Sequence, residues 1–478
     1  MSISYPGQLA WTLLRALLVA AVVASLARPV AVCLADRWRG HLRRVAATLI
    51  VAPLLMPRLV VAYAYTAWPG AQRLAYEPGW NEILYGLLIG SMLLPVAVGV
   101  FLFAPRPALS AEASFCRRLL PRTCAVRRGG LRGRLGFALR GEGRTTVVAA
   151  AAVFLLAFTE FEVASLFGLP SWTVWLFDAQ AGGLPLGATF ARALVPAALE
   201  LLILAAALVL VVKTSQRRGQ AAPLLHCPAA RSRAWIVLLP SFAIACLFPL
   251  LVMFKEAWPG AALLMRDFSI GWELLMSVLF AAGGASLALL AAAAVRRGGR
   301  AGLIVGLVAC APALCGSVVV GLLILCGSAW EPISPILDTP IPILAGLAWL
   351  LLPVALVLGA ILHAVERPAG VHVAELLRRS AHREPRRAAD GILWALCGRG
   401  RFWVGLLLFF FCYFELVLSA LLAPTGMTPA TVPLYSFMHY GHSAKLCAMV
   451  LLMAVVPLML IGAAAALRPA LWRCFNTV

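Results

Sequence analysis

The stretch ILYGLLIGSMLLPVAVGVFLFA, residues 83–104, carries no charged side chain. At a helical rise of about 1.5 Å per residue it reaches across the roughly 30 Å hydrocarbon core of a bilayer. It returns in altered form at 341–364 as IPILAGLAWLLLPVALVLGAILHA, where Leu351-Leu352-Pro353-Val354-Ala355 repeats Leu93-Leu94-Pro95-Val96-Ala97 at an offset of 258. Two inferences start here: the chain lives in a membrane, and its halves are copies of one unit.

Composition carries the first inference. Of 478 residues, 63% are apolar and 12% charged, with a mean hydropathy of +0.94. Soluble domains carry about 25% charged residues, so a soluble globular protein is excluded. Eleven apolar runs are long enough to cross: 9–32, 45–68, 83–104, 145–167, 186–212, 234–254, 272–295, 303–326, 341–364, 402–423 and 446–467. The expected class is an all-α integral membrane protein of about eleven transmembrane helices.

Charge sets the expected orientation. Lys and Arg number 40 against 19 Asp and Glu, and 32 of the 40 fall after runs 1, 3, 5, 7 and 9 or in the C-terminal tail. The positive-inside rule then puts the N-terminus outside and the C-terminus in the cytoplasm. The surplus marks a cytoplasmic face, and no nucleic-acid partner is expected. No basic segment precedes the first run, which reads as a retained helix of a multi-pass protein in a bacterial inner (plasma) membrane. The twelve cysteines form no CxxC pair and read as small buried residues, with neither a zinc site nor a disulfide framework expected.

Three further echoes keep the same order along the chain. Ala24-Ser25-Leu26-Ala27 returns as Ala285-Ser286-Leu287-Ala288, Phe161-Glu162 as Phe414-Glu415, and Thr173-Val174-Trp175-Leu176-Phe177 as Thr431-Val432-Pro433-Leu434-Tyr435. Their offsets are 261, 253 and 258. Five crossings reverse the chain's side of the membrane, and the run at 234–254 supplies the extra crossing that restores it. The layout is two parallel halves, 5 + 1 + 5, related by a pseudo-twofold along the membrane normal. The first half is 1–212, the cytoplasmic linker 213–233, and the second half, with the linking span, 234–478.

Each half places its longest cytoplasmic connection between its third and fourth shared runs, at 105–144 and 365–401. Within them, 110–120 and 373–379 read as short amphipathic helices. As a pair they suit a docking surface. The other reading is that their arginines enforce topology and touch anionic lipid headgroups.

These motifs together resemble the permease subunits of binding-protein-dependent ABC importers, in the duplicated branch associated with ferric iron and thiamine. The resemblance covers most of the chain. In that family each half carries a cytoplasmic Glu-Ala-Ala loop that couples to an ATPase subunit, and Glu112-Ala113-Ser114 and Glu375-Leu376-Leu377 stand at the matching places. Arg118 and Ala381 occupy the position of the family glycine, which implies a reshaped loop or a different ATPase partner. The family's Gly-Glu-Phe and its outer loop are matched by Phe158-Thr159-Glu160-Phe161-Glu162, by Cys412-Tyr413-Phe414-Glu415, and by Thr431 to Tyr435 with Tyr440-Gly441. The resemblance implies cytoplasmic ATPase subunits and an extracytoplasmic solute-binding protein as partners. No phosphate-binding loop occurs in the sequence, so ATP is expected on the partner, with no cofactor and no enzymatic activity in this chain.

Within the runs, carboxylates fall at Glu160, Glu162, Glu200 and Glu415. Ionisable groups at that depth face protein or water and mark pathways or structural contacts. The repeat makes Glu162 and Glu415 equivalents, candidates either to line a pathway or to cap neighbouring helices. Glu160, two residues away and about 200° around a continuous helix, is expected to face elsewhere. Arg15, Arg28 and Arg58 are expected to snorkel or pair with a carboxylate. Thr173, Thr431 and Tyr435 lie in outer loops whose aromatic content suits an interfacial helix or a docking face for a binding protein. His439 and His442 are two potential ligands, too few for a metal site.

The function expected is the solute-conducting permease of an ABC importer, working by alternating access. Two other classes compete with it: a secondary transporter driven by an ion gradient through Glu162 and Glu415, and a permease-derived membrane anchor or sensor.

Overall fold

The structure is a computed structural model that describes residues 4–68, 78–104, 143–216, 230–266, 269–327, 334–365, 368–380 and 382–477. The chain divides into two compact units. The first is Met1–Val252 with Leu314–Gly316, and the second is Met253–Ala313 with Ser317–Val478. The division therefore falls beyond the 213–233 linker, and most of the run at 234–254 sits with the first unit.

In the first unit, α1 (Tyr5–Val32) is followed by α2 (Gly40–Leu55), α3 (Arg58–Ala67), α4 (Pro78–Phe103) and α5 (Gly143–Phe158). Then come α6 (Glu162–Leu166), α7 (Trp172–Ala181), α8 (Leu186–Gln216), α9 (Ala230–Phe242) and α10 (Phe248–Leu264), the last passing into the second unit. The second unit continues with α11 (Ile270–Arg297), α12 (Gly299–Leu314), α13 (Ser317–Cys326), α14 (Ile341–Val365), α15 (Pro368–Arg378) and α16 (Arg383–Leu393). It ends with α17 (Arg399–Tyr413), α18 (Val417–Leu422), α19 (Thr431–His439) and α20 (Ser443–Thr477). No strand occurs among the described residues.

Eight helices are long and apolar enough to cross a membrane, or ten if each of two bent pairs counts as one crossing. The chain is an all-helical, multi-pass membrane protein. The run at 145–167, expected as the fourth crossing, is not one helix. Its first part, α5, has 16 residues and covers only about 24 Å before the chain breaks and restarts as α6.

Two other expected runs are bent. The run at 45–68 turns through 82° between α2 and α3. Pro57 offers no N–H and its ring excludes Met56 from the helical region, where Met56 takes ψ 126°. The run at 303–326 turns through 103° between α12 and α13 at Gly316, whose φ of 91° only glycine adopts without strain.

Each unit is organised on a long first helix. α1 packs on α4 and α5, and α11 packs on α14 and α17. Lipid tails provide no hydrophobic drive between helices, so close packing of small residues must hold these contacts. Ala16, Ala20, Ala24 and Ala27 form the buried seam of α1; Ala281, Gly284, Ala285, Ala288 and Ala292 form that of α11. A Cβ on Gly284 would stand 2.8 Å from Leu347 Cβ. Outward-facing Leu194, Leu202, Ile236 and Phe254 remain uncovered, as side chains solvated by lipid do.

Described glycines with positive φ fall largely into pairs. Gly40 and Gly299 are 259 residues apart, Gly168 and Gly426 are 258 apart, and Gly183 and Gly441 are 258 apart. The last pair does the same work. Gly183 follows α7 with Leu184 N–H donating to Ala179 O at 2.9 Å, and Gly441 follows α19 with His442 N–H donating to Phe437 O at 2.9 Å. Both close a short helix with a left-handed residue and a returning amide.

Candidate functional site

In the first unit the chemistry gathers where α5 stops. Thr159 turns its hydroxyl back to Leu155 O at 2.9 Å, the helix ends, and α6 begins at Glu162. The start of a helix leaves amides without partners. Glu160 supplies them: Oε1 accepts from Val163 N–H at 2.6 Å and Oε2 from Ala164 N–H at 3.1 Å. Tyr85 of α4 donates its hydroxyl to the same Oε2 at 3.1 Å. Glu160 is 1% exposed.

Glu162 serves a different helix. Its Oε2 accepts from Leu59 N–H at 3.1 Å, at the start of α3 just past the Pro57 bend. One break is thus capped from the other. Arg58, also in the first turn of α3, acts electrostatically on both Glu160 and Tyr85. On the far side of Tyr85, the Arg15 guanidinium lies 4.8 Å over the ring and donates to Pro170 O. Arg15 Nε stands 3.5 Å from Glu82 Oε2, and Trp11 Nε1 donates to Glu82 Oε1 at 2.7 Å. Glu82, Arg15, Tyr85 and Glu160 therefore form one connected polar chain through the first unit, with Arg58 in electrostatic range of its inner end.

The segment beyond α6 is tied into the same centre. Thr173 donates its hydroxyl to Glu160 O at 3.0 Å and lies 2.8 Å from Ser171 Oγ. Trp172 N–H donates to Thr12 Oγ1 of α1 at 3.2 Å, and its indole donates to Phe158 O at 2.9 Å.

The second unit also carries a carboxylate at a helix restart. Glu415 Oε1 accepts from Leu418 N–H at 3.2 Å in the first turn of α18, and Ser419 Oγ donates to Glu415 O at 2.6 Å. Ala430 N–H, just before α19, donates to Ser277 Oγ of α11 at 2.8 Å, as Trp172 does to Thr12. Tyr413 and Thr431 are buried with hydroxyls that find no partner among the described residues. Tyr435 is half-buried in α19.

This geometry corrects two expectations. Glu415 accepts an amide three residues ahead of it, as Glu160 does, so its counterpart by position in the turn is Glu160, while Glu162 lies inside α6. Glu160 also does not face away from the centre. A separation of about 200° holds on a continuous helix, and this helix is broken between Phe158 and Glu162. Sequence reasoning missed Tyr85, Thr12 and Ser277 as partners. The signal that finds them is a second polar side chain one helical turn away in an apolar run: Arg15 after Thr12, Asn81 before Tyr85 and Glu273 before Ser277.

Of the expected coupling residues, Glu112 and Ala113 lie outside the described residues. Glu375 is exposed on α15 between the exposed apolar side chains of Val373 and Leu376, with Ala374 turned inward. α15 packs on α16, and Arg378 Nε stands 3.2 Å from Asp390 Oδ1 across that hairpin. Ala381 is outside the described residues as well. No group of three or more metal-ligating side chains occurs among the described residues. Comparison with protein-family models, curated proteins and solved structures finds no match to this chain.

Proposed function

We propose that the chain is the membrane-spanning permease of an ABC importer, made of two parallel copies of one five-span unit and worked by separate ATPase subunits. The observation that carries the reading is the recurrence, at offsets of 255 to 265, of devices that the apolar echoes alone did not contain. Left-handed glycines close equivalent turns, a hydroxyl on α1 and another on α11 each accept an amide at the start of a short helix, and a glutamate caps the helix restart. Composition bias in apolar sequence has no reason to reproduce such spaced polar contacts.

Transport by alternating access needs elements with two arrangements, and helices broken inside a membrane mark where backbone groups reach a cavity. The α2–α3 and α12–α13 bends supply such elements, with Glu162 and Glu415 at restarts beside the pathway. The α15–α16 hairpin supplies the ATPase contact through Val373, Glu375 and Leu376, matched in the first half by the loop carrying Glu112 and Ala113. Tyr435, half-buried on α19, belongs to the face that receives a solute-binding protein; Thr173 and Thr431, expected on that face, are buried and do not present their hydroxyls to a partner.

Affinity purification from native membranes tests this. A nucleotide-binding subunit should co-purify in stoichiometric amount, and Glu112→Lys with Glu375→Lys should reduce its recovery at least tenfold. Unchanged association and uptake in the double variant would remove the docking role. Uptake that collapses with an uncoupler while no ATPase is bound would replace this reading with the ion-driven one.

A further inference from the structure

Glu200 lies near the middle of the 31-residue α8 and has no exposed surface. Neither of its side-chain oxygens has a hydrogen-bond partner among the described residues. Glu160, equally deep, is satisfied by two amides and a hydroxyl. A carboxylate left without donors in an apolar bundle is far costlier than the neutral acid. The form that fits these surroundings carries a proton.

The surroundings are built. Pro196, one turn before Glu200, has no N–H to give to the carbonyl of Arg192, and Tyr5 Oη donates to that carbonyl at 2.6 Å. The Cys315 thiol donates to the next carbonyl, Ala193 O, at 3.5 Å. Ala193 and Glu200 are seven residues apart, about two turns, and share a face of the helix. Helical side chains lean toward the N-terminus, which directs the carboxyl back toward the turn that Cys315 occupies. Cys315 is within electrostatic reach of Glu200.

Cys315 belongs to Leu314–Gly316, the segment of the α12–α13 bend that packs within the first unit. A buried acid part-way along a membrane helix, beside the bent segment Leu314–Gly316, is an arrangement suited to binding and releasing an ion. The titratable groups contributed by the packed elements are Tyr5 from α1, Arg192 on α8, Cys315 from the bend, Arg144 from α5 and Asp178 from α7. None of these hydrogen-bonds to the Glu200 carboxyl.

We propose that Glu200 is a proton-binding site: when the bend admits water, the carboxyl gives its proton to that water, and it takes one back from water before the site closes dry. The O–H bond broken on release is the one re-formed on uptake, with water as acceptor and donor. The site would make proton binding part of the conformational cycle whether or not an ATPase drives it, so it stands apart from the coupling reading.

Infrared spectroscopy and carbodiimide labelling of the full chain in lipid vesicles test the proposal. The carbonyl band of a protonated carboxylic acid without hydrogen bonds should be present, should shift on transfer to D2O, and should be lost in Glu200→Gln. Dicyclohexylcarbodiimide, which reacts from the membrane with protonated carboxyls, should modify the wild-type peptide that carries Glu200. A band that survives in the variant, a band that does not shift in D2O, or a Glu200 peptide without adduct overturns the proposal. Mapping the adduct uses the unaltered chain, so the result does not depend on the variant folding.

Discussion

Glu160 shows how one carboxyl can define a local structure. It accepts two amides of α6 and the hydroxyl of Tyr85, and Thr173 fastens onto its backbone carbonyl. Truncation would orphan several buried donors at roughly 1–3 kcal/mol each, partly relieved by rearrangement. Glu160→Ala should therefore destabilise the protein by about 3 kcal/mol, and Glu160→Gln, which keeps one acceptor, by clearly less. Thermal unfolding in detergent at matched pH measures both. If Glu160→Ala melts with the wild type, the capping role is wrong.

Asp338, outside the spans, gives a pH prediction at the same scale. Its Oδ1 accepts from the Thr425 N–H at 3.1 Å and from the Thr425 hydroxyl at 3.0 Å, and these bonds, the backbone one first, hold its carboxyl below the usual aspartate range. A depressed value in the folded state means the contribution is complete above the ordinary carboxylate pKa of about 3.9 and is lost as pH falls through the folded value. Amide exchange at Thr425 should stay slow at neutral pH and accelerate on acidification in excess of the intrinsic chemistry. Asp338→Asn should remove that excess pH dependence.

Among the elements, the short helices α7 and α19 are the informative ones. Each ends on a left-handed glycine, Gly183 and Gly441. A Cβ there costs about 1 kcal/mol through backbone strain alone, since no atom lies within 4 Å of the added carbon. Gly183→Ala and Gly441→Ala should each lower stability by that amount. Gly86→Ala, inside α4 with the same open space, should leave stability unchanged or raise it by a few tenths of a kcal/mol. Removing the helix-borne hydroxyls that serve α7 and α19, by Thr12→Val and Ser277→Ala, should cost about 1 kcal/mol each. Equal losses support equivalent devices, and a loss confined to one unit argues against them.

For the whole molecule, the decisive expectation is topological. Parallel halves place the two long basic connections on one side of the membrane. Single cysteines introduced as Arg122→Cys and Arg379→Cys in a chain lacking native cysteines should react with an impermeant maleimide only from the cytoplasmic side. Reaction from opposite sides would refute the parallel arrangement and, with it, the paired docking surface.

Much of this architecture was legible in the residues. A bilayer requires apolar segments of a set length, so composition and run length alone identify an all-helical membrane protein and mark the principal crossings. Within one of the four echoes, Ala24 and Ala27 lie on the packed face of α1 and Ala285 and Ala288 on that of α11, while Leu26 and Leu287 face outward. Only the tertiary structure decided where the runs break, that α5 stops short, and that Glu160 and Glu415 each accept the amide three residues ahead at a helix restart. Each break leaves amides that must be satisfied, and their partners come from afar: Glu162 for Leu59, Thr12 for Trp172, Ser277 for Ala430. Hydropathy measures the fitness of a segment for lipid. Whether a helix continues or stops depends on a hydrogen-bond partner that the local sequence does not contain.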